Sequence, residues 1–203
     1  RLFFMNTPQS FEVENVVKFP RQIMSLTRPS APQRFEGFIA DFPVKMVNWL
    51  FRSVQFEDPT SSEYFLHRYN FSTVVNTDEN NRLFFQFMEK TDFFIEGVPQ
   101  VERFGSADFY RYLQTLKSGM YPTEKNIYTY AMSIYPNKMA PSGSVNFSET
   151  NSNKTFLQFE LKAKDQGTSL TQVDLDLGAT MHGWAYGYNI LKIQNNNIFK
   201  LFS

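Results

Sequence analysis

Asn126-Ile127-Tyr128-Thr129-Tyr130-Ala131-Met132-Ser133-Ile134 is the stretch that decides the fold class. Bulky Tyr128, Tyr130, Met132 and Ile134 alternate with Ile127, Thr129, Ala131 and Ser133, the period of two that lays one face of a strand on a core. Working outward, residues 155–163 set Leu157, Phe159, Leu161 and Ala163 against Gln158, Glu160 and Lys162. Thr171 to Leu177 sets Val173, Leu175 and Leu177 against Gln172, Asp174 and Asp176. Shorter alternations predict strands at Phe11 to Val17, Gln22 to Leu26, Leu83 to Met88, Phe93 to Val98 and Trp184 to Ile193. Met46 to Phe51 is apolar at both parities, which predicts a strand covered on both faces. Trp49 and Phe51, with the N-terminal Phe3 and Phe4, are therefore expected to be covered by a partner domain or subunit.

Turn chemistry separates these runs: Arg28-Pro29-Ser30, Asp58-Pro59-Thr60, Gly97-Val98-Pro99, Tyr135-Pro136-Asn137, Pro141-Ser142-Gly143 and Asp165-Gln166-Gly167. One helix is predicted, with Ser106 as N-cap, Phe109, Leu113 and Leu116 at helical spacing, and Gly119 at the stop. A shorter helical turn is expected around Arg34 to Ala40. Many short strands with one inserted helix predict an all-β fold, an antiparallel sandwich or jelly roll, over residues 1–203 as one domain.

The 203 residues include 23 Phe, 10 Tyr, 2 Trp and no Cys, and 20 Lys+Arg balance 20 Asp+Glu. Without Cys there is no disulfide scaffold, thiolate metal site or thiol nucleophile. Neutral net charge argues against a global electrostatic hold on nucleic acid. No window reaches the ~18 uninterrupted apolar residues of a membrane span. A chain that opens on Arg1-Leu2-Phe3-Phe4 reads as a fragment or a processed product.

Residues that could carry chemistry do not assemble into a site. His67 and His182 have no second His, Asp or Glu at metal-ligand spacing nearby in sequence, so both read as structural. Asp174 and Asp176 share a strand face, but alternation with Val173 and Leu175 makes that face a solvated one rather than a glycosidase pair. Gly178, Gly183 and Gly187 lack phosphate-loop spacing, and Gly187 is expected at a bulge or a close backbone approach. Arg68, Arg82, Lys90 and Arg103 are scattered. No enzyme activity and no cofactor or metal are expected. Two sequons, at Asn70 and Asn153, fall in predicted loops, and a third is at Asn146.

The opening stretch continues through Tyr135-Pro136-Asn137-Lys138-Met139-Ala140-Pro141-Ser142-Gly143-Ser144-Val145-Asn146-Phe147-Ser148. With this continuation it resembles the major capsid proteins of nucleocytoplasmic large DNA viruses, where a similar strand leads into a Pro-Ser-Gly turn and an Asn-Phe-Ser segment. Phe42-Pro43-Val44-Lys45-Met46-Val47-Asn48-Trp49 is similar to that family's Pro-Val-Lys strand. Phe94-Ile95-Glu96-Gly97-Val98-Pro99-Gln100-Val101-Glu102-Arg103 is similar to its Asn-Gly-x-x-Arg strand and turn, with Glu96-Gly97 in place of Asn-Gly. Tyr186-Gly187-Tyr188-Asn189-Ile190-Leu191-Lys192-Ile193 resembles its last strand.

The resemblance implies the C-terminal jelly roll of a two-jelly-roll subunit, three of which form a trimeric pseudohexagonal capsomer of an icosahedral shell. It further implies contacts with a preceding jelly roll, neighbouring capsomers and minor or penton proteins, assembly in the host cytoplasm and residence in the virion. No direct nucleic-acid contact is implied. The alternative from another class is a carbohydrate-binding jelly-roll module, with Trp184 and Tyr186 as sugar-stacking rings.

Overall fold

The structure, a computed structural model, describes residues 9–25, 32–61, 64, 87–101, 105–121, 127–151, 153–161, 178–194 and 197–202. Its axis is the 16-residue strand β10 (Ala179–Gln194). Along one side of β10 run β1 (Gln9–Lys18) and β2 (Gln22–Met24); along the other run β4 (Pro43–Ser53) and then β11 (Asn197–Lys200). β4 in turn carries β7 (Ile127–Ala131) and β8 (Val145–Asn146). The second sheet has the order β3 (Gln33–Glu36), β9 (Phe156–Leu161), β5 (Met88–Ile95), β6 (Val98–Pro99). All pairings are antiparallel, and the chain passes repeatedly from one sheet to the other, so the two close as a jelly-roll sandwich.

β1 and β2 are one line of strand interrupted at Pro20, whose missing N–H and fixed φ stop the ladder. The interruption turns Phe19 into the core, where it is 2% exposed, while its own N–H still reaches the Gly183 carbonyl at 2.9 Å. Phe38 gathers Phe19, Phe35 and Phe93 around it at centroid distances of 4.8 to 5.4 Å, with Phe19 and Phe35 edge-on.

Three sequence expectations need correction. Trp49 and Phe51 are wholly buried inside this chain's own sandwich and offer no surface to a partner. Val47, Trp49 and Phe51 of β4 point between the sheets, so Trp49 lies 5.0 Å from the Tyr110 ring and 5.9 Å from Tyr128, and Phe51 meets Phe159 at 5.2 Å. The strand is still buried on both faces, since Met46 and Leu50 on the even side are buried too. The segment Arg34 to Ala40 forms no helical turn: Gln33–Glu36 pairs with β9 as β3, and Gly37 follows at φ +119°. The last strand of the chain is β11, not β10. The alternating run Thr171 to Leu177, with Asp174 and Asp176, lies outside the described residues, as do Phe3, Phe4, His67, Arg68, Asn70, Arg82 and Arg103.

Gly187 does sit at a close backbone approach. A Cβ there would lie 2.1 Å from the Pro43 carbonyl oxygen and 2.4 Å from Phe42 Cδ2. Gly97, at φ +79°, closes the tight turn between paired Ile95 and Val98 and has open space around a Cβ. Gly97→Ala therefore carries only the left-handed backbone penalty, about 1–2 kcal/mol. Gly187→Ala carries no such penalty but must displace the Pro43 carbonyl and the Phe42 ring, and is expected to cost more than about 2 kcal/mol. Urea midpoints of the two variants measured side by side check the ranking.

Candidate assembly surfaces

The motif residues from distant parts of the sequence meet at one corner of the large sheet. β4 begins there, with Pro43 opposite Asn146 and Val44 opposite Val145. Next comes a bulge: Met46 pairs with Tyr186 and Val44 with Gly187, leaving Lys45 as the extra residue. The carbonyl of Lys45 accepts from both Met132 and Ser133 N–H, at 2.9 and 3.1 Å. Its side chain, 2% exposed, puts Nζ 2.6 Å from Glu14 Oε1 and 5.3 Å from the Tyr188 ring centroid. An ammonium this deep needs such compensation.

The Pro141-Ser142-Gly143 turn folds onto the same corner. Tyr135 N–H donates to Ser142 Oγ at 2.9 Å, Ile134 N–H donates to the Ser142 carbonyl at 3.2 Å, and Ser142 N–H donates to the Tyr188 hydroxyl at 3.4 Å. Gly143 sits at φ +127°, where a Cβ would be 3.2 Å from the Met132 carbonyl oxygen. Asn146 Oδ1 accepts from Ser148 Oγ at 2.7 Å rather than from backbone, and Phe147 is buried 6.3 Å from Phe38. Asn189, fully buried, clamps the tail: Nδ2 donates to the Phe202 carbonyl at 2.6 Å, and Oδ1 accepts from Phe202 N–H at 3.1 Å and Ile190 N–H at 2.8 Å. The motifs are thus a structural lock. Gly97 and Trp49 lie away from this corner, in a turn and in the core.

The inserted helix reverses its expected faces. A π-helical turn Phe109–Leu113 runs into α1 (Gln114–Lys117), with Ser106 capping and Gly119 at φ +66° ending it. Tyr110, Gln114, Thr115 and Ser118 are buried, whereas Leu113 and Leu116 are each 60% exposed. The reason is the free edge of β7. Gln114 Oε1 accepts from Ala131 N–H at 3.4 Å, and the Tyr110 hydroxyl donates to the Thr91 carbonyl of β5 at 2.7 Å. Burial, more than the nearby Asp92 and Tyr130, pushes the Tyr110 hydroxyl far above its ordinary pKa, so it stays a donor. Beside the helix a groove of about 430 Å³ is lined by Val101, Phe109, Leu113, Lys117 and Tyr130 among others.

On the outer face of the large sheet His182 has a partner that sequence reading missed. Its Nε2 is hydrogen-bonded to Glu57 Oε1, from 125 residues away, and Arg21 Nη1 stands 3.7 Å from Glu57 Oε2. Nothing local signals that pair; only the sheet brings it together. Trp184, the expected sugar platform, stacks on His182 at 6.2 Å with Lys18 5.8 Å from its centroid. Both neighbours compete for ring faces a sugar would need. Among the described residues no three His, Asp or Glu side chains form a metal-binding group, and no helix is long and apolar enough to cross a membrane.

Strand order and a corner devoted to locking backbone define a jelly-roll protein whose described features are structural. The family model of the large eukaryotic DNA virus major capsid protein matches residues 1–198, and the chain belongs to that family. No curated protein matches it by sequence. Among solved structures, the PBCV-1 virus capsid matches at TM-score 0.73 and 16% identity, over 100% of this chain and 53% of that one. VP54 of PBCV-1, fitted into a reconstruction of the virophage Sputnik, matches at TM-score 0.74 and 16% identity over 97% and 52%. The Faustovirus major capsid protein matches at 0.64 and 12% over 92% and 34%. The chain spans about half the length of the PBCV-1 capsid chains, and it shares their fold.

Two outcomes follow. Asn189→Ala strands the half-buried Phe202 and Ile190 backbone groups and is expected to cost about 1–2 kcal/mol, with early exchange of the Phe202 amide in hydrogen exchange. Burial works against ionisation of Glu57, but its bonds to His182 and Thr180 and the charges of His182 and Arg52 outweigh that and hold the pKa below the ordinary 4.5. A depressed carboxylate contributes stability that is present above pH 4.5 and lost as pH falls through the folded-state value. Glu57→Gln is expected to flatten the acid limb of stability against pH below 4.5, read by urea unfolding at stepped pH.

Proposed function

We propose that residues 1–203 are one jelly-roll domain, the C-terminal of two side by side in a major capsid subunit. Three such subunits make a pseudohexagonal trimeric capsomer, and capsomers tile an icosahedral shell. The observation that carries this reading is the match of the whole chain to 53% of a PBCV-1 capsid chain, together with the family match over residues 1–198. A domain of equal size beside this one accounts for the remainder of such a subunit. The work of the domain is then mechanical: it holds shape and buries area against a preceding jelly roll, neighbouring capsomers and minor or penton proteins. Assembly takes place in the cytoplasm of the infected host, and the product resides in the virion.

The features supporting a shell role are those that stiffen the domain. The Lys45 bulge, the Ser142 turn and the Asn189 clamp fix one corner by backbone hydrogen bonds, so a neighbour meets a surface that does not rearrange. Expressed as the complete subunit, the protein should sediment as a trimer in velocity ultracentrifugation; a stable monomer of the complete subunit would overturn the reading.

A further inference from the structure

The turn Val54–Phe56 at the end of β4 carries Glu57 onto the outer face of β10, where its side chain is only 10% exposed. Among the described residues, the groups that meet this carboxylate are donors and cations. His182 donates through Nε2 to Oε1, and the buried Thr180 hydroxyl donates as well. Arg21, in the break between β1 and β2, stands 3.7 Å from Oε2. Arg52, opposite Thr180 on β4, adds a second cation, and its Nη2 donates to the Phe56 carbonyl at 2.8 Å. Lys18 lies over Trp184, the ring on which His182 stacks. The adjacent carboxylate, Asp58, is turned to Thr60, whose N–H and hydroxyl donate to its Oδ1 at 2.9 and 2.7 Å. One buried carboxylate thus ties the turn after β4 to β10 and to the β1–β2 break.

We propose that Glu57 is an acid-released latch: protonation of its carboxyl frees the start of the connection from β4 to β5 from the face of β10, while the sandwich stays closed. Ionised, the carboxylate offers only acceptors to its donors; protonated, it brings a hydroxyl of its own among them. His182 can accept that hydroxyl only by carrying its proton on Nδ1, which is buried without a partner, and Thr180 only by giving up its own bond to the carboxyl. Arg21 and Arg52 lose at the same moment the negative charge they share. The release is confined by what lies on either side of Glu57. Phe56 is 1% exposed and stays in the core, and β4 pairs with β10 only as far as Ser53, so the ladder does not depend on the carboxylate. After Glu57 the chain is exposed at Asp58, Pro59 and Thr60. Acid therefore resets where this connection leaves the sheet without unfolding the domain. The inference does not rest on the shell reading.

Peptide-resolved hydrogen exchange at stepped pH, corrected for the chemical exchange rate, is the test, in the chain alone or within the complete subunit. Because the folded carboxyl ionises below its ordinary 4.5, the latch is closed above that pH and opens as pH falls through the folded-state value. Over that step the amides of Glu57, Thr60 and Ser61 should lose protection about tenfold, while those of β7 and β9 keep theirs. Glu57→Gln places an amide donor where acid places a hydroxyl, so the same amides should exchange fast at every pH and the step should vanish. Asp58→Asn keeps an acceptor for Thr60 and should leave the step in place. In the chain alone Trp184 gives a second readout, since release frees the His182 ring stacked on it. Its emission should change with the exchange step, and the change should be absent from Trp184→Phe, which leaves only Trp49 in the core. No step in the native chain, a step that survives Glu57→Gln or disappears with Asp58→Asn, or one that coincides with loss of protection in β7 and β9 would overturn the proposal. Each of these outcomes leaves the trimer of the complete subunit, and with it the shell reading, untouched.

Discussion

Everything at the working corner of the domain depends on how closely β4 approaches β10 at Gly187. With no side chain there, Phe42 and the Pro43 carbonyl can lie against the strand at distances a Cβ forbids. That approach requires the ladder to slip by one residue, and Lys45 is the residue left over. Once Lys45 is extruded from the pairing, its carbonyl is free to hold Met132 and Ser133, which positions the turn that ends in Ser142 and its link to Tyr188. Remove the approach and the turn, the buried ammonium and its bond to Glu14 lose their geometry together.

The abundance of Phe has a different resolution from the one composition invites. Rings that a run apolar at both parities would assign to an outside partner, Trp49 and Phe51, are among the most deeply buried of all. They meet rings from β7, β9 and the inserted helix, so the sandwich is filled largely by aromatic edge-to-face contacts rather than by aliphatic side chains. Among the described residues the large apolar side chains left exposed are instead ones such as Leu113, Leu116, Ile23 and Val98.

How much of this was legible follows a physical rule. Period-two patterning locates β7, β9 and β10, most plainly β9, where Leu157, Phe159 and Leu161 are buried and Gln158 and Glu160 are not, whereas β4 is located by a run apolar at both parities; each constraint is written locally. The Ser142 turn and Gly187 were legible as chemistry of φ and close approach, though what they approach was not. The helix was placed correctly but turned the wrong way: spacing put Leu113 and Leu116 inward, while the need of the β7 edge for a hydrogen-bond acceptor drew Gln114 in. Edge satisfaction is a demand of the whole sheet, invisible in a window of ten residues. The same holds for Glu57 with His182 and for Glu14 with Lys45, pairs made only by strand order.

The placement of β10 also sets the order in which the molecule can come into being. β1, β2 and β4 have no pairing with one another; each is laddered to β10, whose residues are near the end of the chain. A nascent chain released as far as Gly178 therefore carries its larger sheet in separate pieces, with β1 and β2 unjoined to the ladder that β4 makes with β7 and β8. Contacts this distant in sequence close slowly. Synthesis of such a protein at high abundance consequently favours a host whose chaperones shield partly made chains, and a truncation before residue 179 leaves not a smaller domain but an adhesive one.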